Sequence, residues 1–151
     1  MTSDGLRTLA GAHGALAYGA VVALVAVLGA LARRWRGAAW LGALAAVLNG
    51  ATFATGALLH GPFQAKLRHR LFLMSSSLGW LFERKEHVAF GALALVFCGA
   101  VALGASARGA SKDDWVARDL RRASAIAMGC ALLFSLFALW VSLVVARRVA
   151  F

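Results

Sequence analysis

Apolar residues in this chain fall into four long runs with almost no polar interruption. They cover about residues 13–32, 38–59, 87–107 and 123–146, and none has a Lys, Arg, Asp or Glu in its interior. Crossing the hydrocarbon core of a bilayer takes about 20 helical residues. Each run therefore predicts a membrane-spanning helix. A barrel strand would alternate polar and apolar residues, and a lone lipid-facing strand would leave backbone groups unpaired. Alanine and leucine dominate the runs, and both favour helix.

The boundaries carry their own signals. The first run stops at Arg33-Arg34-Trp35-Arg36, and the second at His60-Gly61-Pro62, where proline is expected to end the helix. The third ends before Arg108, and the fourth is bounded by Arg121-Arg122 and Arg147-Arg148. The length of the first run, with Asp4 in its leading segment, favours a retained span over a cleaved signal peptide. Residues 71–82, between the second and third runs, are apolar but too short to cross. Basic groups flank them and serines interrupt them, so a short interfacial segment is expected there. The polar stretch Ser111–Arg122 is expected to start the fourth helix outside the membrane. The predicted fold is one all-α domain over residues 1–151: a four-transmembrane-helix bundle with an interfacial segment between helices 2 and 3.

Composition agrees with the pattern. Of the 151 residues 62% are hydrophobic and 15% charged. Soluble domains sit at about 45–50% and 25%. A water-soluble fold of this size could not bury so much apolar surface. Two cysteines cannot make a disulfide-rich secreted fold, and no C-x-x-C is present. Cys98 and Cys130, inside the third and fourth runs, are expected to be small buried hydrophobes.

The formal net charge of +10 falls almost wholly outside the runs. It is assigned to anionic lipid head groups and not to nucleic acid. With four spans, one face holds Arg7, Lys66, Arg68, Arg70, Arg84, Lys85, Arg147 and Arg148. The other holds Arg33, Arg34, Arg36, Arg108, Lys112, Arg118, Arg121 and Arg122. The counts are equal, so basic residues do not set the orientation. Either a partner subunit fixes it or the chain inserts both ways as a dual-topology dimer.

Helix packing is expected at small-residue faces: Gly11, Ala15 and Gly19; Gly42, Ala46 and Gly50; Ala94, Cys98 and Ala102; and Met128, Ser135 and Ser142. Asn49, the most polar mid-depth residue, is expected to bond between helices in preference to lining a channel.

All four histidines, His13, His60, His69 and His87, fall at one membrane face. Imidazoles suit a bilayer interface without any cofactor. Their clustering also suits a redox site. Gly56, Thr52 and Asn49 share the face of His60, and Gly91, Ala94 and Cys98 that of His87. Two such small faces could admit haem b, with iron held by His60 and His87, His13 as a substitute ligand, and Arg68 and Arg70 pairing with the propionates. A bare metal held by three histidines with Glu83 or Glu86 is a further option. A quinone head group could instead dock among His60, His69, His87, Ser75 to Ser77, Trp80 and Tyr18. No nucleotide-binding or hydrolase motif is present in the sequence. The expected function is a small redox subunit of a bacterial inner membrane, carrying haem b or helping to form a quinone site. The competing readings are a structural or assembly subunit of a larger membrane complex, and a small channel or dual-topology dimer. Partners would be lipids, other membrane subunits or a second copy.

Overall fold

A computed structural model describes residues 3–66, 68–109 and 114–148. Lys112, and the side chains of Lys66 and Arg148, lie outside what is described. Five helices follow in order: α1 (Ser3–Ala32), α2 (Ala38–Lys66), α3 (Arg68–Met74), α4 (Ser76–Gly109) and α5 (Asp114–Arg148). Four of them are long and apolar enough to cross a membrane, as the hydrophobic runs predict. The chain is thus an all-α, four-span bundle. At 1.5 Å per residue these helices are about 44–53 Å long. A hydrocarbon core is about 30 Å thick, so the extra turns reach the head groups.

Two boundaries differ from the sequence expectation. Pro62 does not end the second span, and α2 continues through it to Lys66. A proline removes one backbone donor, and membrane helices tolerate that where neighbours or nearby turns satisfy the freed carbonyl. Residues 71–82 are also not one segment. They divide at Ser75 between α3 and α4. Ser75 Oγ accepts the Leu78 amide at 3.4 Å, so this serine caps the start of α4 inside the expected interfacial segment. The backbone barely breaks there: the Ser75 amide donates to Leu71 O at 2.9 Å and the Gly79 amide to Ser75 O at 3.1 Å.

The helices form a closed ring in which α1 meets α2 and α5, and α4 meets α2 and α5. At its centre lie Leu24 and Val27 of α1, Ala45 and Ala46 of α2, Val96 and Leu103 of α4, and Met128 and Ala131 of α5. So many alanines let the helices approach closely, which is how helices associate in lipid. Gly42 and Gly99 extend this: a Cβ at Gly42 would come within 3.2 Å of Leu103, and one at Gly99 within 3.1 Å of Met128. Ser124 Oγ donates to Gly99 O at 2.9 Å and ties α5 to α4.

The small faces of α2 and α5 pack as expected, with Gly42, Ala46 and Met128 buried. Those of α1 and α4 do not. Gly11, Ala15, Ala94 and Cys98 are exposed, and α4 packs instead through Ala92, Val96, Gly99 and Leu103. Cys98 and Cys130 are exposed and free, contrary to the expected burial. Asn49 is buried, but its Nδ2 donates to Ala45 O of its own helix at 2.9 Å and not to a neighbour. A mid-depth amide can be satisfied locally by the carbonyl one turn back, so no partner helix is needed.

A second cluster closes the histidine end. Leu71 of α3, 1% exposed, packs with Val141 and Val145 of α5 and with Phe63, Leu81, Phe82 and Phe137. Phe63 and Phe82 stack at 4.0 Å between centroids. The Phe72 ring covers Gly79, where any Cβ would lie 2.7 Å from it. In this way α3 docks on the bundle.

Candidate functional site

The face of α2 that ends the second span carries Thr52, Gly56 and His60 at intervals of one turn. The His13 ring of α1 lies against it. Its Nδ1 is 3.0 Å from Thr52 O and 3.1 Å from Thr55 Oγ1. A carbonyl can only accept, so Nδ1 carries the proton. The Thr55 hydroxyl spends its own hydrogen on Ala51 O and Thr52 O, at 2.9 and 3.0 Å, and is left to accept from His13. Gly56 makes the seat: a Cβ there would lie 3.1 Å from His13 Cε1.

One turn further on, His60 Nδ1 donates to Glu86 Oε1 of α4 at 2.8 Å. The two side chains are 47% and 37% exposed, so the pair is open to a molecule arriving from the head-group region. His87 follows Glu86 in sequence but sits about 100° further around the helix. Its Nδ1 donates back to Glu83 O of its own helix at 3.1 Å. His69 is exposed on α3. In three of the four histidines Nδ1 is thus committed to an oxygen acceptor. Their Nε2 atoms have no partner among the described residues.

The charged neighbours are also largely committed. Arg68 donates to Glu83 Oε1 through Nε at 2.9 Å and Nη2 at 2.6 Å, and its guanidinium lies 5.8 Å from the Phe72 ring centre. Lys85 Nζ sits 4.5 Å above the Phe82 ring. Arg70 is exposed. Sequence reasoning named Arg68, Glu83 and Glu86 without pairing them. It missed the seat of His13 on α2, which no local spacing signals.

The two small faces expected to flank a porphyrin do not form one groove. Beside His60, Gly56 and Thr52 are covered by His13. Beside His87, Gly91 meets Phe134 at 3.3 Å, while Ala94 and Cys98 face outward. A crevice too narrow to admit a water-sized sphere lies at the junction of α2, α3 and α4 and includes Phe63, Arg68, Leu71 and Glu83. An open groove of about 430 Å³ runs along α4 over Ser77, Trp80, Leu81 and Arg84. Among the described residues no cluster of three or more His, Cys, Asp or Glu is placed to hold a metal ion.

Fold and site together define a four-span, all-α membrane protein with a histidine–carboxylate pair at one end of its bundle. Its sequence matches no family model, no curated protein and no solved structure.

Proposed function

We propose that the protein is a small membrane subunit of an electron-transfer system, and that its histidine-rich end helps to form a quinone site. The supporting observation is the His60–Glu86 pair, 2.8 Å apart across two spans and partly open to the outside. Reduction of a quinone to its quinol takes two electrons and two protons. Here the electrons come from a redox centre of a partner subunit. An imidazole held by a carboxylate is suited to pass a proton to a head-group oxygen within hydrogen-bond reach. In this reading His60, protonated on both ring nitrogens, gives its Nε2 proton to one head-group oxygen while Glu86 accepts from Nδ1 and orients the ring. Water at the open end returns a proton to Nε2 and supplies the second proton to the other oxygen, and the long lipid-facing helix surfaces take the isoprenoid tail. A bacterial inner membrane is the setting such a role implies.

A second reading is favoured by one observation. Ligating histidines generally donate their other ring N–H to a carboxylate or carbonyl. His13, His60 and His87 all do so, through Glu86 for His60 and backbone oxygens for the others. Their Nε2 atoms suit iron of haem b. The space does not suit the macrocycle: the crevice beside Phe63 is narrow and His13 fills the groove of Gly56. Arg68, the expected propionate partner, is held by Glu83.

The test uses the full chain, purified in mild detergent. Lipid extracts of the purified protein are assayed for quinone, and optical spectra are recorded oxidised and dithionite-reduced. Retained quinone, reduced at least tenfold in His60→Ala and Glu86→Gln, is the expected result. A reduced α-band that disappears in His60→Ala would replace the quinone reading with haem ligation. Neither quinone nor an α-band would leave a structural or assembly subunit, identified by the membrane proteins that co-purify.

A further inference from the structure

At the opposite end of the bundle, the link between α1 and α2 contains the one non-glycine residue with positive φ among those described, Arg34 at 52°. The hydrogen bonds around it have the pattern of a Schellman helix end. The Trp35 amide donates to Ala30 O at 2.9 Å and the Arg34 amide to Leu31 O at 3.1 Å. The left-handed position in that motif is normally glycine, sometimes asparagine, because a Cβ there crowds the following carbonyl. An arginine is therefore carried against a backbone preference. Strain of this kind points to a role for the side chain.

The residues around it give that role. Arg33, Arg34, Trp35 and Arg36 are all exposed, and no carboxylate pairs with these arginines among the described residues. The Trp35 ring lies over Gly37, where an added Cβ would come within 2.7 Å of it. The turn is thus shaped to hold the indole down while leaving 57% of Trp35 exposed. Trp40, in the first turns of α2, is 83% exposed. Indole rings settle at head-group level, which places these guanidiniums at the depth of lipid phosphates. Guanidinium binds phosphate in a planar, two-point geometry that lysine cannot reproduce.

We infer that the α1–α2 turn is a binding site for the phosphate of an anionic phospholipid, formed by Arg33, Arg34 and Arg36 with Trp35 as its apolar wall. The occupant is argued from charge complementarity: three adjacent cations with no acidic partner among the described residues, at the end of two spans, face a surface whose available anions are lipid phosphates. The site lies at the end of the bundle away from the histidines and does not depend on the redox reading.

The test is thermal unfolding of the full chain in neutral detergent, with phosphatidylglycerol or phosphatidylcholine added. Phosphatidylglycerol is expected to raise the midpoint more than phosphatidylcholine, and inorganic phosphate is expected to have no effect. The triple variant R33Q/R34Q/R36Q should lose that difference while keeping its helical circular dichroism. Arg34→Gly separates strain from binding: its midpoint without lipid should rise, while its phosphatidylglycerol shift falls. The inference is overturned if the triple variant keeps the parental preference, or if Arg34→Gly gains no stability and loses no lipid shift. It is equally overturned if inorganic phosphate alone reproduces the shift. Loss of a co-purifying acidic protein, with lipid preference unchanged, would assign the turn to a protein partner instead.

Discussion

Gly56 has no side chain, and the His13 ring takes up the space that one would fill. Substitution there tests the seat directly. Alanine brings a Cβ to 3.1 Å from the ring, a contact that a shift of a few tenths of an ångström relieves. It also gains about 1 kcal/mol of helix propensity over glycine, so Gly56→Ala should be close to neutral. Leucine cannot be accommodated so cheaply. Gly56→Leu should displace His13 from Thr52 and Thr55 and cost about 1–3 kcal/mol in detergent unfolding. Parental stability in Gly56→Leu would show that His13 does not sit there. At this scale the sequence was informative about residue types and silent about partners. It named every histidine, but His13 finds its acceptor 39 residues away and His60 finds Glu86 at a separation of 26. Those distances depend on how each helix is rotated, which no short spacing encodes.

Among the helices, existence was easily read and orientation was not. The runs predicted four spans because a bilayer requires continuous apolar residues and internally satisfied backbone groups. Small-residue spacing then found the packed face of α2, yet it selected Ala94 and Cys98 on α4 where Ala92, Val96, Gly99 and Leu103 do the packing. Lipid tails are as apolar as leucine, so a face turned to lipid and a face turned to another helix have the same composition. Close approach decides between them, and Gly99 against Met128 is where α4 and α5 approach. Gly99→Leu should push α5 away, cost about 1–3 kcal/mol or more, and weaken the Ser124 hydrogen bond. The same change at exposed Ala94 should have little effect on detergent unfolding. Equal losses at both positions would mean that the packed face of α4 has been misassigned. The serines that interrupt residues 71–82 mark the junction itself: Ser75 separates α3 from α4, and its Oγ accepts the Leu78 amide at 3.4 Å.

For the whole molecule, an even number of spans places the start of α1 and the end of α5 at the histidine end of the bundle. Reporter fusions at the two ends should therefore read the same compartment in every molecule. A mixed signal from each terminus would establish insertion in both orientations, which the equal basic counts of the two faces permit. The two ends of the bundle differ in character despite those counts. At the histidine end, Arg68–Glu83 and His60–Glu86 join α2 and α3 to α4. At the other end, among the described residues, the pair found is Arg122–Asp119 at 3.6 Å, within one helix and exposed, and no acidic partner is found for Arg33, Arg34 and Arg36. Only 22–28% of the most apolar window of each span is buried inside the chain. Most of the surface of each span is thus available to lipid or to other helices.

The membrane class, the four spans and the gathering of the histidines at one end are all written in the order of residues. Each follows from a strong local constraint: backbone hydrogen bonds must close within a helix in lipid, and charged residues must stay out of its centre. Tertiary structure decided which faces pack, that Asn49 bonds to its own helix, that His13 rests on Gly56, and that Glu86 holds His60. It also decided that the small faces of His60 and His87 do not meet in one groove. These outcomes turn on helix rotation and close approach. In a chain where apolar residues line both the interior and the lipid-facing surface, hydropathy carries no record of either.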